Sequence, residues 1–225
     1  MSWSVTDSGQ ATPLYVAAVV GLLFVALVLF AFGEAGVRRN GAQSAADAAA
    51  LAAAKESRSL LEPDLLSHLA DPDYFASVFS PSFLGGPDNA CWKASAFAAL
   101  NKASVVRCRP LTDGRWGYEV SLKSDKGMST GIVPGTGGKK AEAEAVAVVE
   151  PRCSFAPEPE STPDPESTPD PGSSPDTDED PDSEATVAPV GKVRCDGGKE
   201  WTVNPEDVTL MPDMADLFSV HLVEN

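Results

Sequence analysis

The chain has 225 residues, a formal charge of −16 and four cysteines, enough for one membrane helix and one modest soluble domain. Eleven acidic and no basic residues lie between Ala156 and Thr186, so the rest of the chain carries only −5. That balance excludes nucleic acid as a partner, because phosphate binding needs a basic face.

The first element is an apolar run, LYVAAVVGLLFVALVLFAF from Leu14 to Phe32, without a charge. As a helix it is about 28 Å long, close to the roughly 30 Å hydrocarbon core of a bilayer. The segment before it, residues 1–13, has no Lys or Arg, and Gly33-Glu34-Ala35 is a poor cleavage site. Both features favour a retained transmembrane helix over residues 14–33 rather than a signal peptide. Ala17 and Gly21 form a small-xxx-small pair, which ordinary membrane-helix composition also explains.

An alanine-rich extension follows over residues 34–62, with no proline until Pro63. Alanine is the strongest helix former. Ala42, Ala45, Ala46, Ala49, Ala52 and Ala53 recur at helical spacing and form a seam of small side chains that admits a second helix closely. Arg39, Gln43 and Asp47 make a polar stripe four residues apart. Gly36 and Gly41 predict a bend where the lipid ends, and Pro63 a stop.

Residues 64–90 read as one or two short helices and a loop. The stretch from Ala90 to Ala103 has a helical pattern, and Ser104 to Leu111 alternates like a strand, with Val106 and Cys108 on one face. Asp113-Gly114 is a turn. Trp116, Tyr118, Val120 and Leu122 share one face of a second strand, and Ala143 to Val149 forms a third. The predicted class is α+β: a long N-terminal helix, then a small domain of helix and antiparallel strands.

Residues 156–186 carry the hexamer PESTPD twice, eight prolines and the eleven carboxylates. This composition leaves almost nothing to bury and predicts a disordered, extended loop. After it, Val190 to Cys195 and Glu200 to Val203 read as further strands. The extracytoplasmic domain therefore spans 63–155 and 187–225 around the loop.

Cys91, Cys108, Cys153 and Cys195 suggest two disulfides on an oxidising side. Helix–strand packing brings Cys91 to Cys108, and adjacent strands bring Cys153 to Cys195. Two other connectivities stay open from sequence. Arg38 and Arg39 pull the other way, because the positive-inside rule places them in the cytoplasm; that rule weakens for long translocated domains.

No residue set supports catalysis, a metal or a cofactor. His68 and His221 lack an acidic partner at a recognisable spacing, so a nucleophile has no base. GIVPGTGGKK at 131–140 has Val133 and Lys140 where a phosphate loop needs Gly and Ser or Thr. DTDEDPDSE at 176–184 has Pro181 and Val187 where an EF-hand needs Gly and Glu. No small-molecule ligand is identified.

From Asp7 to Ala54 the chain reads DSGQATP, an uncharged helix, then VRRNGAQSAADAAALAAA. It resembles the TadE/TadG-like proteins of the tight-adherence (Flp-type) pilus and secretion system. The segment CWKASAFAALNKASVVRC also resembles the Cys–helix–strand–Cys unit of small members. The resemblance implies a single-pass, pseudopilin-like membrane protein with an external domain. It implies partners among other membrane or pilus-assembly proteins, contacted through the N-terminal helix. Prepilin cleavage after Gly9 would place Leu14 where a Glu is usual. A membrane-tethered module that binds a cell-wall polymer or a solute is the other reading of this layout.

Overall fold

The computed structural model describes residues 11–86, 89–127, 137–158, 188–207, 209 and 211–224. Helix α1 runs from Ala11 to Leu60 without a break, 50 residues or about 75 Å. Gly36 and Gly41, expected to bend it, sit inside continuous helix with open space around them. The alanine content on both sides supplies the propensity that the two glycines lose.

Pro63 does more than stop α1. It lies in the first turn of α2 (Glu62–Ser67), where a missing N–H costs nothing. Helix α3 (Pro72–Val78) is capped by Asp71, whose carboxylate accepts from the backbone N–H groups of Asp73 and Tyr74, each at 3.0 Å. That satisfies donors the first turn would otherwise leave unpaired. Helix α4 (Cys91–Leu100) begins with Asn89 Oδ1 accepting from the Cys91 N–H at 2.9 Å. It hands over to the sheet through Lys102, the sole non-glycine residue with positive φ among those described.

Strands β1 (Ala103–Pro110), β2 (Gly117–Ser124) and β3 (Glu142–Pro151) form an antiparallel meander. Strands β4 (Cys153–Pro157), β5 (Gly191–Cys195) and β6 (Glu200–Val203) form a second sheet. A short helix α5 (Met214–Leu217) leads into β7 (Phe218–Val223), which pairs antiparallel with β3. The first sheet therefore has the order β1-β2-β3-β7. The α+β class stands.

One further sequence expectation needs correction. Val106 and Cys108 do not share a face, because the β1–β2 register shifts between Val105 and Arg107. A bulge of this kind adds one residue and resets the alternation. Val106 is thereby turned outward, 69% exposed, while Val105 and Cys108 pack against the core.

Within the alanine-rich extension, α1 from Ala42 onward lies in the head's core. Ala42, Ala45, Ala46, Ala49, Ala50, Ala53 and Ala54 are all buried, and α1 packs against α4, β2 and β3. The facing β3 residues Ala145 and Ala147 are also small and buried. Small side chains on both sides let helix and sheet approach closely, and the contact is extensive dispersion rather than large side-chain burial.

Larger side chains fill the far end of the core. Phe218 stacks on Phe79 with centroids 5.5 Å apart and meets Trp116 edge-on at 5.4 Å. Phe75 packs against Phe155 at 5.3 Å, joining α3 to the second sheet. Trp116 Nε1–H donates to Ser57 Oγ at 2.9 Å, which satisfies both buried groups. The cluster thus ties α1, both sheets and β7 together.

Candidate functional site

The feature that distinguishes this chain is the contrast between the two halves of α1. In the N-terminal half the large apolar side chains point away from all protein: Leu14, Phe24, Phe30 and Phe32 are 64–75% exposed. A band this long and apolar needs lipid or protein around it. Among the described residues α1 contains the one helix long and apolar enough to cross a membrane. At its edge Arg38 donates through Nε and Nη2 to Glu34 Oε1, at 3.1 and 3.0 Å. The pair partly offsets both charges one helical turn beyond the apolar run.

The alanine seam lies wholly in the other half. Ala42, Ala45, Ala46, Ala49, Ala52 and Ala53 are each at most 6% exposed. The helix that the seam admits is the chain's own α4, together with the first sheet. The seam over residues 42–53 is thereby covered by the chain's own head. On α1 it is the 14–33 band that remains open.

Residues 9–56 match the family model described as "Putative Flp pilus-assembly TadE/G-like". The N-terminal segment is thus similar to TadE/G-like sequences. The match joins the exposed band to the buried seam and ends four residues short of the end of α1. It links the chain to a role related to Flp-pilus assembly. No curated protein and no solved structure matches the chain.

The head that α1 enters has two covalent ties. Cys91 at the start of α4 is bonded to Cys108 in β1. Cys153 and Cys195 sit opposite each other in the β4–β5 register and are bonded. The second tie closes the base of the acidic segment. That segment's expected disorder, the EF-hand-like run, most of the glycine loop and Gly9 all lie outside the described residues.

Both histidines have acidic neighbours that sequence reading missed. His68 Nδ1 is 3.6 Å from Asp64 Oδ1 and 3.0 Å from Ser67 Oγ. Its ring stacks on Tyr74 at 4.3 Å. The Tyr74 hydroxyl donates to Asp64 Oδ2, and burial with this carboxylate raises the phenol well above its ordinary pKa. The i, i+4 spacing of Asp64 and His68 was the available signal. Ser, His and Asp here do not form a hydrolytic relay. Serine and carboxylate approach the same ring nitrogen, whereas the relay needs them on opposite nitrogens. His221 Nε2 lies 3.8 Å from Glu150 across β3 and β7.

One groove of about 260 Å³ lies beside Pro81, Phe83, Arg115 and Glu150, below the roughly 300–1,000 Å³ of common ligand pockets. Arg115 is bound to Asp113 at 2.6 Å, which holds that carboxyl below its usual range. Among the described residues no group of three or more His, Cys, Asp or Glu is arranged to hold a metal.

Proposed function

We propose that this chain is a membrane-anchored, non-enzymatic structural or assembly component of a Flp-type pilus or related secretion machine. In this reading residues 14–33 cross the membrane once and the disulfide-tied head is extracytoplasmic. The observation that carries it is the coincidence of the TadE/G-like match with α1, half bare apolar surface and half core of the head. The two disulfides support an oxidising compartment for the head. Partners are other membrane or pilus-assembly proteins that meet the open apolar band.

The test combines a topology reporter fused after Asn225 with thiol labelling in intact cells, with and without reductant. Photo-crosslinkers at Val20, Phe24 and Leu27 then sample the band, with Ala49 as a buried control. Trapped membrane partners at the band and none at Ala49 are expected. A head that faces the cytoplasm with four free thiols would overturn the reading. So would deletion of the gene with surface appendages and export unchanged.

A further inference from the structure

The α4–β1 turn and the two ends of the β2–β3 loop meet where α1 enters the head. The Asp125 N–H donates to Lys102 O at 2.9 Å, and the Ser124 N–H to Ala141 O at 2.8 Å. Gly127 lies against Gly138, so closely that a Cβ on Gly127 would come within 2.4 Å of Gly138 O. Lys102 and Lys126 line a shallow cleft together with Arg38 and Gly41 of α1. These contacts gather Arg39, Lys102, Lys126, Lys139 and Lys140 around the point of entry, all five exposed. Among the described residues none of the five forms an ion pair. The nearby acids are engaged: Glu34 with Arg38, Asp125 with the Ser104 hydroxyl at 2.7 Å, Glu142 with Lys123 at 2.6 Å. Residues 128–136 contain no charged side chain. Leu100, 77% exposed, stands two residues from Lys102.

Position supplies the occupant. From Phe32 to Ala42 the helix rises about 15 Å, of which a headgroup layer takes roughly 5–8 Å. The collar of lysines then lies within about one Debye length of the lipid charges. The acidic segment is attached elsewhere, through β4 and β5 of the second sheet, which packs on α3 at the far end of the head.

We propose that this basic collar docks on anionic phospholipid headgroups of the bilayer that α1 enters, and so fixes the head against the membrane. The proposal rests on the membrane-anchored reading above. Its test is amide hydrogen exchange of the full chain in nanodiscs of phosphatidylcholine, and in discs with phosphatidylglycerol replacing part of that lipid. In anionic discs we expect exchange at 101–103, 124–127 and 137–141 to slow at least about fivefold, the order that a single basic residue contributes at such a surface. High salt should erase the difference. The variant Lys102→Gln, Lys126→Gln, Lys139→Gln, Lys140→Gln should lose it, and Lys139→Gln, Lys140→Gln alone should lose part of it. The amides of Val120 and Val148 report in every sample whether the head is folded. Equal exchange in the two lipids overturns the proposal. Protection by inorganic phosphate in neutral discs overturns it too. So does deprotection on deleting residues 159–187 in neutral discs, since the occupant would then be the chain's own acidic segment. A chain that enters neither disc defeats the anchored reading as well; one that enters both without a lipid-charge effect defeats only the collar.

Discussion

At the scale of single residues, the tightest constraints fall on groups that sequence composition makes look ordinary. Ser57 is the buried polar residue that receives the Trp116 indole N–H. Ser57→Ala leaves that N–H buried and unpaired, so we expect a loss of about 1–3 kcal/mol, read as a lowered melting temperature of the full chain in detergent micelles. Ala49 has no exposed surface. Ala49→Leu has nowhere to place three further carbons and should cost on the order of 1–3 kcal/mol by overpacking; an unchanged melting temperature would show that the helix–sheet contact is looser than described. Arg58 spans the same contact, donating from Nη1 to Phe218 O at 3.0 Å, and burial lowers its guanidinium from the ordinary value. Glu200 supplies a pH signature. A hydrogen bond from Arg194, then the charges of Arg194 and Lys192, hold its carboxyl below the usual range. A lowered folded-state pKa means that its contribution is present above the unfolded value near 4.3 and disappears as pH falls through the folded value. Carbon-detected titration of the Glu200 carboxyl should give a midpoint below that of an ordinary glutamate, rising toward the ordinary value in Arg194→Ala, where Lys192 alone remains.

At the scale of elements, the two disulfides divide the labour. Cys91–Cys108 closes a separation of 17 residues and Cys153–Cys195 one of 42. On the chain-entropy estimate these are worth about 3 and about 4 kcal/mol. The paired change Cys153→Ser, Cys195→Ser should therefore lower stability more than Cys91→Ser, Cys108→Ser, by roughly 1 kcal/mol; the reverse order in chemical denaturation would refute this. The elements differ in how plainly the sequence announces them. The strand carrying Trp116, Tyr118, Val120 and Leu122 has unbroken alternation and a turn before it, so its buried face was readable. The β1 bulge was not, because an inserted residue leaves the residue types unchanged and is set by pairing with β2. The pairing of the terminal strand β7 with β3 escaped as well, because no local pattern reveals a partner about 70 residues away.

At the scale of the whole molecule, the sequence shows the long apolar helix, the alanine seam and the acidic segment, yet not that the seam belongs to the head. Alanine spacing is the same whether the covering surface comes from this chain or another, and only the small residues of β3 and the α4 face decide it. The two ends of the acidic segment leave from one end of the β4–β5 pair, where Pro157 lies opposite Gly191. Replacing residues 159–187 with a short Gly-Ser linker should thus leave the melting temperature within the shift expected for about 1 kcal/mol, because closure entropy changes slowly with length. A collapse on replacement would mean the segment is part of the core. The order of the strands has a further consequence. Strand β7 is made after the acidic segment, yet it covers the open edge of β3 and delivers Phe218 to the aromatic cluster. Under the anchored reading proposed above, a chain threading across a membrane therefore waits, unfinished and sticky, until Phe218 has emerged. Any product cut short before Phe218 is left with a bare sheet margin that proteases and chaperones on that side can recognise, so maturation doubles as proofreading for length.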